Sequence, residues 1–144
     1  LVCGSREIRD KEFVFKVLDF LTSKRPLVSI EIIQGGQKSF DRGLEINYGA
    51  DYFAKLWAEE RGVKMTEFLA PWEGLPDMPK SKLSKKSNGS YYWKGAGMYR
   101  NKQMLDYNPD ACVGFLGKAA KNSGTKHMLK LCQDKEILVK KYYI

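Results

Sequence analysis

Apolar positions along the chain follow two patterns, which alternate from one segment to the next. Short segments rich in apolar residues predict five strands, at residues 1–4, 27–34, 63–69, 111–116 and 136–142. Apolar residues three and four positions apart predict four helices, at residues 10–23, 51–61, 101–107 and 125–133. Pro26 lies just beyond the first predicted helix and Gly62 directly after the second, as is common at helix ends.

Strands that alternate with helices favour a parallel sheet covered on both faces, because each parallel connection needs a crossover. We therefore predict an α/β fold, and more specifically a Rossmann-like three-layer α/β/α sandwich with a mostly parallel sheet. A chain of 144 residues is most simply a single domain. No apolar run approaches the ~18 residues that a membrane-spanning helix needs, so no membrane partner is expected.

The 25 basic residues outnumber the 17 acidic ones, which gives a formal net charge of +8. This excess favours an anionic partner, such as a nucleotide, a nucleic acid or an acidic protein. Cys3, Cys112 and Cys132 have no metal-type spacing and have apolar neighbours, which predicts reduced core cysteines in a cytoplasmic protein. His127 is the single histidine, so a multi-histidine metal centre is excluded, and neither a metal nor another cofactor is expected.

Residues 70–94 form a long segment in which we predict only a loop. Loops of this length are uncommon in compact domains and are usually functional or disordered. Residues 80–94 of the segment carry five lysines and the aromatic run Tyr91-Tyr92-Trp93. Three interpretations stay open: a lid over a bound nucleotide, aromatic packing on the core, and contact with single-stranded nucleic acid.

The segment 95–103, Gly-Ala-Gly-Met-Tyr-Arg-Asn-Lys-Gln, has the composition of a helix start that binds an anion. A helix N-terminus presents unpaired N–H groups and a partial positive charge, and Arg100 can hold a phosphate with two parallel hydrogen bonds. Other glycine loops follow strands or open helices at Gly4-Ser5-Arg6, Gly35-Gly36 and Gly124-Thr125. Because ligands bind beyond the carboxyl ends of parallel strands, we expect these loops to converge on one phosphate site.

Several short motifs occur in a fixed order along nearly the whole chain. They are Gly4-Ser5-Arg6, Gly35-Gly36, Gly49-Ala50-Asp51 with Trp57-Ala58, Ala70-Pro71-Trp72, Ala96-Gly97-Met98-Tyr99-Arg100-Asn101 with Met104, and Gly124-Thr125. The ordered set resembles the YspA-like branch of the SLOG superfamily. That superfamily also holds the LOG-type phosphoribohydrolases and the DprA/Smf DNA-processing proteins.

The resemblance implies a Rossmann-like domain that binds a nucleotide or nucleotide-derived ligand, as a sensor or as a nucleotide-processing protein. Together with the glycine loops, it gives the candidate ligand-binding residues Gly4, Ser5, Arg6, Gly35, Gly36, Asp51, Gly97, Arg100, Asn101, Gly124 and Thr125. It assigns no catalytic residue.

The chain departs from the pattern of this branch in two insertions, near residues 37–48 and 73–94, which we expect to flank the mouth of the pocket. A third departure concerns catalysis. LOG-type hydrolases carry a glutamate three residues after the threonine of the Gly-Thr pair, where this chain has Met128. A methionine cannot transfer a proton or stabilise an oxocarbenium-like centre, so hydrolysis by that route is not expected.

Individual residues keep alternative roles. Asp51 could bind a ribose hydroxyl or cap its helix, Arg100 could bind the ligand or a structural carboxylate, and His127 could be an acid–base group or simply packed. The main functional hypothesis is ligand binding. The alternatives are an N-glycosidase or phosphoribohydrolase acting on nucleoside monophosphates and a DprA-like protein associated with single-stranded DNA, and a homo-oligomer is compatible with each.

Overall fold

The computed structural model describes residues 1–118 and 120–144, in which helices and strands alternate. The helices are α1 (Lys11–Thr22), α2 (Ala50–Arg61), α3 (Ala96–Asp106) and α4 (Ser123–Asp134). The strands are β1 (Val2–Gly4), β2 (Glu31–Gln34), β3 (Ser39–Asp41), β4 (Ile46–Tyr48), β5 (Lys64–Glu67), β6 (Ser84–Lys85), β7 (Tyr91–Tyr92), β8 (Ala111–Leu116) and β9 (Leu138–Tyr143). None of the helices in these two ranges is long and apolar enough to cross a bilayer.

The main strands pair in parallel. β8 lies between β1 and β9, with Val2 opposite Val113 and Ala111 opposite Leu138. β2 pairs in parallel with β5, and β2 approaches β1, although no hydrogen-bonded ladder joins those two strands in the described residues. The predicted α/β class is therefore confirmed.

Successive residues of the strands belong to two separate hydrophobic clusters. Val2 and Ile32 pack in the cluster that contains side chains of α1 and α2. Their neighbours Cys3 and Ile33 pack in the cluster that contains side chains of α3 and α4. Since neighbouring side chains of a strand point to opposite faces, the two clusters lie on opposite sides of the strands.

The cysteines all lie in the cluster with α3 and α4. Cys3, Cys112 and Cys132 are buried and free, and the sulfur atoms of Cys3 and Cys112 are 3.8 Å apart. Their apolar neighbours in the sequence predict cysteines in the core, and the cysteines pack there among apolar side chains.

The start of α2 is fixed tightly against the end of β1. A Cβ on Gly4 would lie 2.4 Å from the Cβ of Ala50 and 2.8 Å from the carbonyl oxygen of Phe115. The Ala50 N–H donates to the carbonyl of Ser5 at 3.2 Å. Gly49 precedes the helix at φ +122°, a conformation that favours glycine. This close approach places the N-terminus of α2 at the carboxyl end of β1.

The structure differs from the sequence prediction in three segments. Residues 27–29 form a 3-10 turn rather than the start of a strand, because the N–H of Ser29 donates to the carbonyl of Pro26 at 3.0 Å. The insertion at 37–48 contains the antiparallel pair β3–β4, and the long segment 70–94 contains the pair β6–β7. Local hairpin pairing of these polar segments was not predicted, since neither has clear apolar alternation.

Candidate functional site

A cavity of about 630 Å³ lies at the carboxyl edge of the parallel strands. Ser5 follows β1, and Lys121 follows β8. Asp51, Gly97 and Gly124 line the cavity from the first turns of α2, α3 and α4. This is the crevice in which sheets of this kind bind ligands, and its volume is in the range of small-molecule sites.

Most of the predicted ligand-binding residues line this one cavity. They are Gly4, Ser5, Arg6, Asp51, Gly97, Arg100, Asn101, Gly124 and Thr125. The loops that are far apart in the sequence therefore meet at one edge of the fold.

Gly35 and Gly36 do not line the main cavity, contrary to the prediction. The carbonyl oxygen of Gly35 accepts a hydrogen bond from Nη1 of Arg100, and a Cβ on Gly35 would lie 2.4 Å from that nitrogen. Gly36, at φ +70°, lines a smaller cavity of about 150 Å³. The side chain of Arg100 thus covers the loop after β2, and a carbonyl oxygen of that loop holds the guanidinium in place.

Arg100 is buried, with 8% of its surface exposed. Its Nη1 also approaches the carbonyl oxygen of Phe68 at 3.4 Å, and its Nε donates to Oδ1 of Asn101 at 3.1 Å. Burial lowers the pKa of Arg100, while the charge of Asp51 opposes the shift. In residues 1–118 and 120–144 no acceptor is found for Nη2, and the residue lines the cavity.

Asn101 connects α3 to α4. Its Nδ2 donates to the carbonyl oxygen of Gly124 at 3.2 Å and lies 3.0 Å from Nδ1 of His127. Because Arg100 occupies Oδ1, the amide can present only N–H groups to His127. In this arrangement Nδ1 of His127 accepts from the amide.

Asp51 is a buried carboxyl group in the first turn of α2, with 6% of its surface exposed. The residue that caps α2 is Gly49, so the capping interpretation of Asp51 is wrong. Its Oδ2 instead accepts a hydrogen bond from the N–H of Gln37 at 3.1 Å. Burial raises the pKa of Asp51 to about 6, although the Gln37 N–H and the charge of Arg100 both act to lower it.

The loop between β8 and α4 leaves the start of α4 open to the cavity. Asn122, at φ +55°, uses its side chain to bond the N–H and carbonyl of Gly117, at 3.1 and 2.8 Å, and the carbonyl of Ala120 at 2.9 Å. Its side chain therefore does not cap the helix. Within residues 1–118 and 120–144, the first-turn N–H groups of α4, beside Lys121, have no hydrogen-bond acceptor and are available to a ligand.

The segment between β5 and α3 forms one side of the cavity through Trp72 and Lys94. The N–H of Trp93 donates to the carbonyl of Trp72 at 2.7 Å, and the ring of Trp93 packs on Tyr99 with centroids 5.4 Å apart. Tyr91, in the β6–β7 pair, is 43% exposed. The segment thus combines aromatic packing at its end with a contribution to the cavity wall.

Several lining residues were not among the predicted binding residues. They are Cys3, Glu7, Gln37, Trp72, Lys94, Met98, Met104, Ala120, Lys121, Asn122, Ser123 and His127. The pair Asn122-Ser123 before Gly124 could have been found as a helix-start signal. Gln37 carries no such signal, because its position depends on the left-handed turn at Gly36.

Within the described part of the chain, no group of three or more histidine, cysteine or acidic side chains is arranged to hold a metal ion. Comparison of the chain with protein-family models, with curated proteins and with solved structures gave no match. The geometry of the cavity is therefore the basis for the functional proposal.

The raised pKa of Asp51 predicts an unusual pH dependence of stability. The folded state holds this proton up to about pH 6 and the unfolded chain only to 3.8, so the carboxyl group makes folding progressively less favourable between those values. Asp51→Asn removes this effect and raises the free energy of unfolding at pH 7 by about 3 kcal/mol.

Urea denaturation of both proteins from pH 4 to 8 measures the difference. The difference grows as the pH rises to about 6 and is constant above it. Glu59→Gln, an exposed carboxylate of the same helix, serves as the control and changes stability little at any pH. A wild type that is more stable than Asp51→Asn at pH 7 would contradict the assignment.

Proposed function

We propose that the cavity binds a nucleotide or nucleotide-derived ligand through its phosphate group. The observation that carries the proposal is the convergence of the N-termini of α2, α3 and α4 on one cavity of about 630 Å³. Each terminus supplies N–H groups and a partial positive charge, which together favour a phosphate. The volume of the cavity suits a molecule of mononucleotide size.

The charges in the cavity wall support an anionic ligand. The wall carries four cationic side chains, Arg6, Lys94, Arg100 and Lys121. Among the described lining residues two are acidic, Glu7 and Asp51, and burial raises the pKa of Asp51 to about 6. The buried hydroxyl of Thr125, in the first turn of α4, adds a neutral donor. A phosphate at the start of α4 would be held by N–H groups, a hydroxyl and a lysine.

Isothermal calorimetry tests this proposal with adenosine 5′-monophosphate, ADP-ribose, cyclic nucleotides and deoxynucleoside monophosphates. Wild type binds at least one of them with saturation. Lys121→Gln and Thr125→Val each weaken binding, by roughly 10-fold for the loss of a charge-assisted hydrogen bond. Arg100 is a poor first choice for substitution, because its guanidinium also fastens the loop after β2.

The matched control is Lys141→Gln, which removes an exposed charge from β9, outside the cavity lining. Its affinity stays within about 2-fold of wild type, since a distant surface charge is screened by salt. Absence of saturable binding across the panel, or equal effects of Lys121→Gln and Lys141→Gln, would remove the proposal.

The buried carboxyl group of Asp51 supports a second candidate function, which is hydrolysis of an N-glycosidic bond in a bound nucleoside monophosphate. A buried carboxyl group with a pKa of about 6 can hold a proton near neutral pH and release it to a substrate. In this step the bond between C1′ and the base nitrogen breaks, and the base leaves with the proton of Asp51. Water supplies hydroxide to C1′, and its remaining proton returns to the carboxylate.

Chromatography of nucleoside monophosphates incubated with the protein detects any free base. Wild type releases base, at a rate that falls above about pH 6 as the carboxyl group ionises. Asp51→Asn abolishes release, and Glu59→Gln leaves it unchanged. Wild type that releases no base from any member of the panel is a binding protein rather than a hydrolase of this bond.

A further inference from the structure

We infer that the indole of Trp72 stacks against the base of the bound nucleotide, so that the cavity prefers nucleoside phosphates to sugar phosphates. This inference rests on the proposed binding of phosphate in the same cavity. Trp72, at the rim of the cavity, is then a second point of ligand recognition besides the phosphate site.

The exposure of Trp72 is the first observation. Trp72 lines the cavity, yet 43% of its surface remains exposed. Trp57, by contrast, is completely buried in the core, and Trp93 packs against the ring of Tyr99. In the described residues no aromatic ring pairs with Trp72. A large apolar ring is thus presented to the space in which the ligand is expected.

The backbone of Trp72 is held by two hydrogen bonds, and its ring packs beside Gly97. The carbonyl of Trp72 accepts from the N–H of Trp93 at 2.7 Å, and the N–H of Trp72 donates to the carbonyl of Ala70 at 2.9 Å. The place where a Cβ of Gly97 would be is 3.4 Å from Cη2 of the indole. The ring therefore lies against the first turn of α3, one of the three helix starts at the cavity.

The surroundings of the ring suit a planar base joined to a phosphate. Met98, 59% exposed, lines the same cavity, and a thioether packs well against aromatic rings. Lys94 lines the same cavity and adds a positive charge that favours an anionic group of the ligand. Stacking is compatible with any base, because every base has a π-face. The preference is accordingly for the class of nucleoside phosphates rather than for one base.

The test compares adenosine 5′-monophosphate with ribose 5-phosphate, which has the phosphate and sugar but no base. Calorimetry on wild type gives a tighter constant for the nucleotide, by roughly 5- to 150-fold, the range expected for stacking on one aromatic ring. Trp72→Ala lowers this ratio to near 1 while ribose 5-phosphate still binds as in wild type. Trp72→Phe retains most of the ratio, since a smaller aromatic ring can still stack.

Tryptophan fluorescence gives a second readout that does not depend on how well the alanine variant folds. Adenosine 5′-monophosphate quenches the emission of wild type and of Trp93→Phe, whereas it leaves Trp72→Phe unquenched. Ribose 5-phosphate quenches none of them.

Three results overturn the inference in different ways. If both ligands bind but the ratio of their affinities in Trp72→Ala equals that of wild type, Trp72 only packs against α3. Phosphate binding then stands. If wild type binds other nucleotides of the panel but binds adenosine 5′-monophosphate no better than ribose 5-phosphate, the stacking fails and phosphate binding stands. If no nucleotide of the panel binds wild type, the proposed function fails together with the stacking.

Discussion

The arrangement of the cavity depends on the buried guanidinium of Arg100. One side chain bonds the carbonyl after β2, approaches the carbonyl of Phe68 after β5 and orients the amide of Asn101 in α3. Burying an arginine is costly unless its N–H groups find partners, and these contacts offset part of that cost. The guanidinium thereby fixes where α3 begins relative to the parallel strands.

The contacts of Arg100 extend to the other walls of the cavity. Asn101 extends these contacts to α4, because its amide donates to the carbonyl of Gly124 and contacts the ring of His127. The charge of Arg100 also acts on Asp51 in α2, where it limits the rise in the pKa of that carboxyl group. Three helix starts are thus linked to one cation. A ligand that binds there meets positioned N–H groups and does not have to organise them.

Much of the fold could be predicted from the sequence, because apolar spacing and glycine signals are local. Strand β8 was predicted with the bounds that the structure gives it, and α2 was predicted to within one residue of its start, with Gly62 directly after its end. The site could be predicted less completely than the fold. The sequence indicated that Arg100 would lie at the cavity, but its bond to Gly35 depends on two segments 65 residues apart. Lys121 and Trp72 likewise reach the cavity only through loops whose paths no local pattern defines.

The proposed site for the phosphate is the set of helix starts that border this cavity. The most direct measurement is an NMR titration of isotope-labelled protein with adenosine 5′-monophosphate, following each backbone amide. If a phosphate binds at the helix starts, the largest, saturable shifts fall on the first-turn amides of α3 and α4, at Gly97, Ser123, Gly124 and Thr125. Shifts confined to the lysine-rich β6–β7 pair, with those four amides unmoved, would contradict the proposal.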